Sequence, residues 1–64
     1  MMEILTERQN EIMGMVAKGM SNSQIAVELG LSIQTVKNTL SEIYGRIDAP
    51  NRVTATLKFL GVVQ

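Results

Sequence analysis

SNSQIAVELGLSIQTVKNTLSEIYGRI, residues 21–47, contains the signals of two helices separated by a short turn. Ser21 and Gln24 have the spacing of a capping box, in which each side chain bonds the backbone N–H of the other residue. Gly30 is a favourable residue at a helix end, and Ser32 is a favoured N-cap for the helix that follows. A short helix, a three-residue turn and a longer helix predict a helix-turn-helix.

The second helix of this pair has one apolar side. Val36, Leu40, Ile43 and Ile47 recur at spacings of four, three and four residues, which predicts a stripe that faces a core. The opposite side then holds Gln34, Lys37, Asn38, Ser41 and Gly45. Short hydrogen-bonding side chains are weak helix formers, but their groups are of the kind that read base edges in the major groove. We expect this side to contact DNA; a merely solvated helix face is the alternative.

The two helix starts offer a second kind of contact. The first backbone N–H groups of an α-helix have no partner within the helix, and together with the helix dipole they favour phosphate. The starts at residues 21–23 and 32–34 are therefore candidate phosphate contacts. Capping alone is the alternative interpretation.

Two further helices flank the central pair. Thr6 and Gln9 form a second capping box, and apolar residues at helical spacing follow as far as Gly19. The last helix begins near Asn51, and the residues expected on its core side are Val53, Leu57 and Leu60. No window alternates apolar and polar residues as a strand does. The predicted fold class is all-α: a compact four-helix domain with a central helix-turn-helix, a single domain over residues 1–64.

Composition excludes several classes of function. The 64 residues include no cysteine and no histidine, which removes thiolate metal sites and most general-base catalysis at neutral pH. We expect no enzyme activity, no cofactor and no metal. The sequence has neither a membrane-spanning stretch nor a secretory signal, so we expect a cytoplasmic protein with no membrane partner.

Charge gives a weaker indication. Six basic and six acidic residues give a net charge of zero, which offers no support for nucleic-acid binding. Residues 1–30 carry two basic and four acidic residues, whereas residues 31–64 carry four basic and two acidic residues. The small basic excess thus lies in the half that contains the candidate recognition helix.

Several short motifs follow one another with set gaps. They are Leu5-Thr6-x-Arg8-x-x-Glu11-Ile12-Met13, Gly19-x-Ser21-Asn22, Ile25-Ala26-x-x-Leu29, Leu31-Ser32-x-x-Thr35-Val36-Lys37, Ile43 with Arg46-Ile47, and Arg52 with Ala55. Together they resemble the LuxR-type (GerE-type) helix-turn-helix domain of bacterial transcription regulators, from Leu5 to about Leu57. Gln9 and Gln24 depart from the family pattern, which usually has Glu at both positions.

The resemblance implies a set of roles, with the third helix in the major groove of double-stranded DNA. The residues it places on bases are Lys37, Asn38 and Ser41. Those it places on the DNA backbone are Asn22, Ser23, Ser32, Gln34, Thr35 and Arg52. The family often dimerises through its last helix, where the candidates are Val53, Thr56, Leu57 and Phe59. Thr56 and Phe59 are favoured among them, because Val53 and Leu57 are expected in the core. A homodimer would bind two half-sites about one helical turn apart, or a multiple of that spacing.

Two functions remain open on the sequence alone. The first is sequence-specific DNA binding within a transcription regulator. The second is a protein-interaction module that pairs with another regulator or with RNA polymerase and does not read DNA. The zero net charge favours the second function, whereas Thr35-Val36-Lys37 and the polar side of the helix favour the first.

Overall fold

Four α-helices make up the regular structure within residues 4–62, the part of the chain that the computed structural model describes. They are α1 (Glu7–Ala17), α2 (Asn22–Leu29), α3 (Ile33–Arg46) and α4 (Arg52–Phe59). No strand occurs in that range. The fold class is therefore all-α, as the sequence predicted, and α2 with α3 forms the central helix-turn-helix.

The predicted helix starts are confirmed in atomic detail. Both capping boxes are present; in the first, the Thr6 backbone N–H donates to Gln9 Oε1 at 2.9 Å. Ser32 Oγ accepts from the Thr35 N–H at 3.0 Å, and Asn51 Oδ1 accepts from the Thr54 N–H at 2.8 Å. Side chains three residues away in the sequence thus satisfy backbone donors that a helix start leaves unpaired.

Gly30 produces the turn between α2 and α3. Its φ of 68° and ψ of 34° lie in the left-handed region, which a residue without Cβ adopts at no steric cost. The following Leu31 N–H donates back to the Ala26 carbonyl at 2.9 Å, which closes the end of α2. This turn sets the direction in which α3 leaves α2.

The core gathers residues from every helix. Its buried members are Leu5, Ile12, Met13, Val16, Ile25, Ala26, Val36, Leu40, Ile43, Ala49 and Ala55. The predicted stripe on α3 is confirmed: Val36, Leu40 and Ile43 are buried, and Ile47 packs against the cluster at the helix end. The helices pack in two pairs, α2 against α3 and α1 against α4.

The predicted core side of α4 is wrong. Val53 is 69% exposed and Leu60 is 57% exposed, while Leu57 is half-buried. The core side is instead formed by Ala55, which has no exposed surface, and by Phe59, which packs against the cluster. At 3.6 residues per turn, Val53 lies on roughly the opposite side from Ala55. A helix this short gives too few turns for the larger aliphatic residues to identify its buried side.

Candidate nucleic-acid interface

The outer side of α3 is polar and open to solvent. Gln34, Lys37, Asn38 and Ser41 are all exposed, and Gly45 continues the same side. Burial of Val36, Leu40 and Ile43 against the core fixes this orientation. The structure thus brings the three predicted base-contacting residues, Lys37, Asn38 and Ser41, onto one exposed surface.

Two of these side chains are already bonded to each other. Gln34 Nε2 donates to Asn38 Oδ1 at 2.9 Å, across one turn of α3. The bond leaves Asn38 with its amide N–H donors and Gln34 with its carbonyl acceptor. The bond therefore joins a predicted base contact, Asn38, to a predicted backbone contact, Gln34.

The start of α3 holds a second bonded pair. Ser32 Oγ donates to Thr35 Oγ1 at 2.8 Å and also accepts from the Thr35 N–H at 3.0 Å. Both residues are exposed, as is Ser23 at the start of α2. These predicted backbone contacts therefore lie at the two helix starts, but the cap already uses part of the capacity of Ser32.

An open cleft lies beside the outer side of α3. It is bordered by the first residues of α2 and α4, and its lining residues are Asn22, Lys37, Leu40, Ser41, Tyr44 and Arg52. Four of the six were predicted DNA contacts. The sequence reasoning missed Tyr44, although its spacing of three residues from Ser41 and seven from Lys37 puts it on the same side of a helix.

Arg52 fastens the start of α4 to the start of α2. Its Nη1 donates to Asn22 Oδ1 at 2.7 Å, and its Nη2 donates to the Met20 carbonyl at 2.6 Å. The side chain is half-buried. The residue predicted to contact the DNA backbone thus has two of its N–H groups engaged within the protein, and one partner is another predicted backbone contact.

Comparison with known families decides the identity of this fold. Residues 3–59 match the model of the family described as bacterial regulatory proteins, luxR family. The chain belongs to the luxR family.

Individual relatives of this luxR-family chain are regulators. It is 44% identical over 57 residues to the probable HTH-type transcriptional regulator GfsR of Streptomyces halstedii, covering 89% of the chain and 24% of that protein. It is 40% identical over 57 residues to the nitrate/nitrite response regulator protein NarP of Escherichia coli K12, covering 89% of the chain and 26% of NarP. It is 40% identical over 55 residues to the response regulator protein VraR of Staphylococcus aureus strain NCTC 8325, covering 86% of the chain and 26% of VraR. The chain spans about a quarter of the length of these relatives.

The last helix of the luxR-family domain carries the predicted dimer contacts. Val53 is largely exposed, and Leu57 and Thr56 are half-buried. Thr56 Oγ1 donates to the Arg52 carbonyl at 2.9 Å, and Phe59 packs against the core. The expected burial is thus wrong: of the four predicted residues, Val53 and not Thr56 or Phe59 has the most surface to offer a second copy.

Charge on the interface comes chiefly from Lys37. Within residues 4–62, the ion pair that forms is Arg8 with Glu11, 2.8 Å apart on α1, and Lys37 forms none. No group of metal-ligating side chains occurs in this same range. Among the described helices, none has both the length and the apolar character needed to cross a bilayer.

Proposed function

We propose that this luxR-family domain binds double-stranded DNA in a sequence-specific manner, as part of a bacterial transcription regulator. One observation carries the proposal: a buried aliphatic stripe on α3 leaves Lys37, Asn38 and Ser41 together on its exposed side. An α-helix fits the major groove, so this side of α3 enters the groove and meets the base edges. The printed names of the relatives as transcriptional and response regulators support this function.

The contacts divide by type. Lys37, Asn38 and Ser41 contact bases, because ammonium, amide and hydroxyl groups match the donors and acceptors of the groove. The remaining residues contact the DNA backbone; they are Asn22, Ser23, Ser32, Gln34, Thr35 and Arg52. Backbone contacts fix the register on the duplex, and base contacts supply the sequence preference.

A single copy of this domain binds weakly. Its net charge is zero, so it neutralises few phosphates. Each neutralised phosphate contributes about 0.9 to the slope of log affinity against log salt, so few of them give a low affinity and a shallow slope. We therefore propose a homodimer on two half-sites, with contacts through α4 at Val53, Thr56, Leu57 and Phe59. Doubling the contacts doubles the salt slope, and half-sites about one helical turn apart match a two-fold dimer.

Removing the Lys37 side chain tests the proposal. A duplex is first selected from a random pool, and its affinity is then compared with that of a random duplex for the wild type, Lys37→Ala and Lys18→Ala. A good base contact contributes about 1–3 kcal/mol, and both protomers lose it, so Lys37→Ala abolishes the preference for the selected duplex. Lys18 is exposed at the end of α1, so Lys18→Ala removes the same charge and keeps the preference.

Thermal unfolding accompanies these measurements. Lys37 is exposed, so its replacement leaves the free energy of unfolding within about 0.5 kcal/mol. A folded Lys37→Ala variant that still prefers the selected duplex contradicts the proposed role of this side of α3.

A protein-interaction module is the second candidate. The zero net charge favours it, as does exposed apolar surface at Val27, which is 83% exposed, and at Val53. In this alternative the domain pairs with another regulator or with RNA polymerase. Titration with a random duplex at low and at high salt separates the two functions, because DNA binding is salt-sensitive and its complete absence favours the interaction module. A cytoplasmic location belongs to both proposals.

A further inference from the structure

We propose that Arg52 is a positioning residue: it turns the Asn22 amide toward a phosphate of the DNA backbone, which the cleft between α2, α3 and α4 seats. The inference rests on the proposed DNA binding and deepens it. It changes the role of Arg52 from a direct contact with DNA to a support for another residue.

The bond between Arg52 and Asn22 settles which end of the amide is free. Arg52 Nη1 donates to Asn22 Oδ1 at 2.7 Å, so the carbonyl end of the amide is taken by the protein. The Nδ2 group is left, and it has no hydrogen-bond partner among residues 4–62. Asn22 thus presents donors, and the ligand that fits is an acceptor.

The guanidinium that holds Asn22 is itself held. Its Nη2 donates to the Met20 carbonyl at 2.6 Å, and hydrogen bonds from a charged donor are roughly twice as strong as neutral ones. Two bonds from one planar group fix its orientation in a way that a lysine ammonium does not reproduce. Arg52 therefore defines the direction of the Asn22 amide before DNA arrives.

The other walls of the cleft suit the same ligand. Lys37 supplies an ammonium, Ser41 and Tyr44 supply hydroxyl groups, and Leu40 supplies an apolar surface. None of the six lining residues is acidic. Donors and positive charge without a carboxylate favour an anion with several acceptor oxygens, such as a phosphate.

The position of the cleft identifies the DNA backbone as the source of that phosphate. Lys37 and Ser41 belong both to the cleft and to the exposed side of α3. When that side enters the major groove, the cleft lies at the edge of the groove, where the sugar–phosphate strand runs. A free inorganic phosphate has the same chemistry, so the experiment includes it as a separate arm.

Asn22→Asp tests the seat, with Asn10→Asp as its matched control. Both variants add one negative charge to an exposed or half-exposed position in a helix. An aspartate at residue 22 still accepts from Arg52 and is favourable in the first turn of α2, so the variant stays folded. It offers no N–H donor, and it repels phosphate.

Affinity for a 20-base-pair random-sequence duplex is measured at fixed salt for the wild type and both variants. We expect Asn22→Asp to bind at least about tenfold more weakly than Asn10→Asp, a factor that corresponds to ~1.4 kcal/mol. Equal affinities of the two variants overturn the seat while leaving DNA binding intact. Absence of binding by the wild type overturns the proposed function as well.

Arg52→Lys tests the positioning role, because it keeps the charge and loses the planar fork. The Asn22 side-chain amide is followed by ¹H–¹⁵N NMR in the free protein, and DNA affinity is measured for Arg52→Lys, Asn22→Ala and the double variant. We expect the amide signal to shift in Arg52→Lys and the double variant to bind as Asn22→Ala does. Losses that simply add mean that Arg52 contacts DNA on its own, and they overturn the positioning role.

Inorganic phosphate alone forms the last arm. We expect the duplex to shift the Asn22 side-chain amide signal of the wild type at concentrations where inorganic phosphate leaves it unchanged, because the neighbouring contacts on α3 hold the strand in place. An equal response to inorganic phosphate overturns the assignment to the DNA backbone.

Discussion

Gln9 joins α1 to α3 through a hydrogen bond to Glu42. Replacing the amide nitrogen of Gln9 by oxygen, as in Gln9→Glu, removes the donor of this bond. The side chain is 5% exposed, its Nε2 donates to Glu42 Oε2 at 2.7 Å, and its Oε1 accepts from the Thr6 N–H at 2.9 Å. Gln9→Glu keeps the acceptor for Thr6 but places a carboxylate oxygen against the Glu42 carboxylate. The luxR-family pattern usually has Glu at this position. The substitution is unfavourable in this chain because Glu42 lies against the side chain.

The expected loss follows from these contacts. A hydrogen bond to a charged partner contributes about 1.5–3 kcal/mol, and like charges at this separation repel by about 1–2 kcal/mol when water screens them. Glu42 is exposed and is able to turn away, so we expect a net loss of about 2–3 kcal/mol. For a domain of this size, that is a fall in Tm of roughly 10–20 °C.

Thermal unfolding at pH 7 measures the loss, and the swapped pair is its control. In Gln9→Glu with Glu42→Gln, the glutamine at 42 donates to the glutamate at 9, so most of the stability returns. A single variant as stable as the wild type at pH 7, or a double variant no better than the single one, refutes the reasoning.

Three further substitutions test the turn, a cap and the last helix. Gly30→Ala costs about 1–2 kcal/mol in the free energy of unfolding, because φ at this position is 68° and a Cβ is strained there. Ser32→Ala costs about 1 kcal/mol through loss of the acceptor for the Thr35 N–H; urea unfolding measures both, and unchanged midpoints contradict these roles. Val53→Ser leaves stability within about 0.5 kcal/mol since Val53 is 69% exposed, while it weakens dimerisation on a duplex with two half-sites, as followed by sedimentation. A large loss of stability in Val53→Ser contradicts its exposed position, and unchanged dimerisation removes it from the interface.

Local signals made the helix starts and the central turn predictable. Ser21, Ser32 and Asn51 each bond a backbone N–H three residues away, so the residues that decide a cap are neighbours in the sequence. Gly30 adopts a left-handed conformation, which is predictable locally because glycine has no Cβ to clash there. The exposed side of α3 followed in turn from its apolar stripe, because a helix repeats every 3.6 residues.

Contacts distant in sequence were not predictable in this way. Arg52 and Asn22 are 30 residues apart, and no periodicity within either helix indicates that they meet. The core side of α4 depends on packing against the rest of the domain, where the small Ala55 is buried and the larger Val53 is exposed. Tyr44 was predictable, because its spacing of three residues from Ser41 places both on the same side of α3 and its hydroxyl group is able to form hydrogen bonds.

The polar side of α3 has a consequence for how such a chain changes over generations. Gln34, Lys37, Asn38 and Ser41 contribute nothing to the buried cluster, so exchanging them leaves the energy of folding nearly untouched. Under the proposed function, a descendant is therefore free to acquire a new operator without passing through a poorly folded ancestor. The same proposal implies that thermal stability and target sequence vary independently, so two equally stable descendants would differ in the promoters they bind.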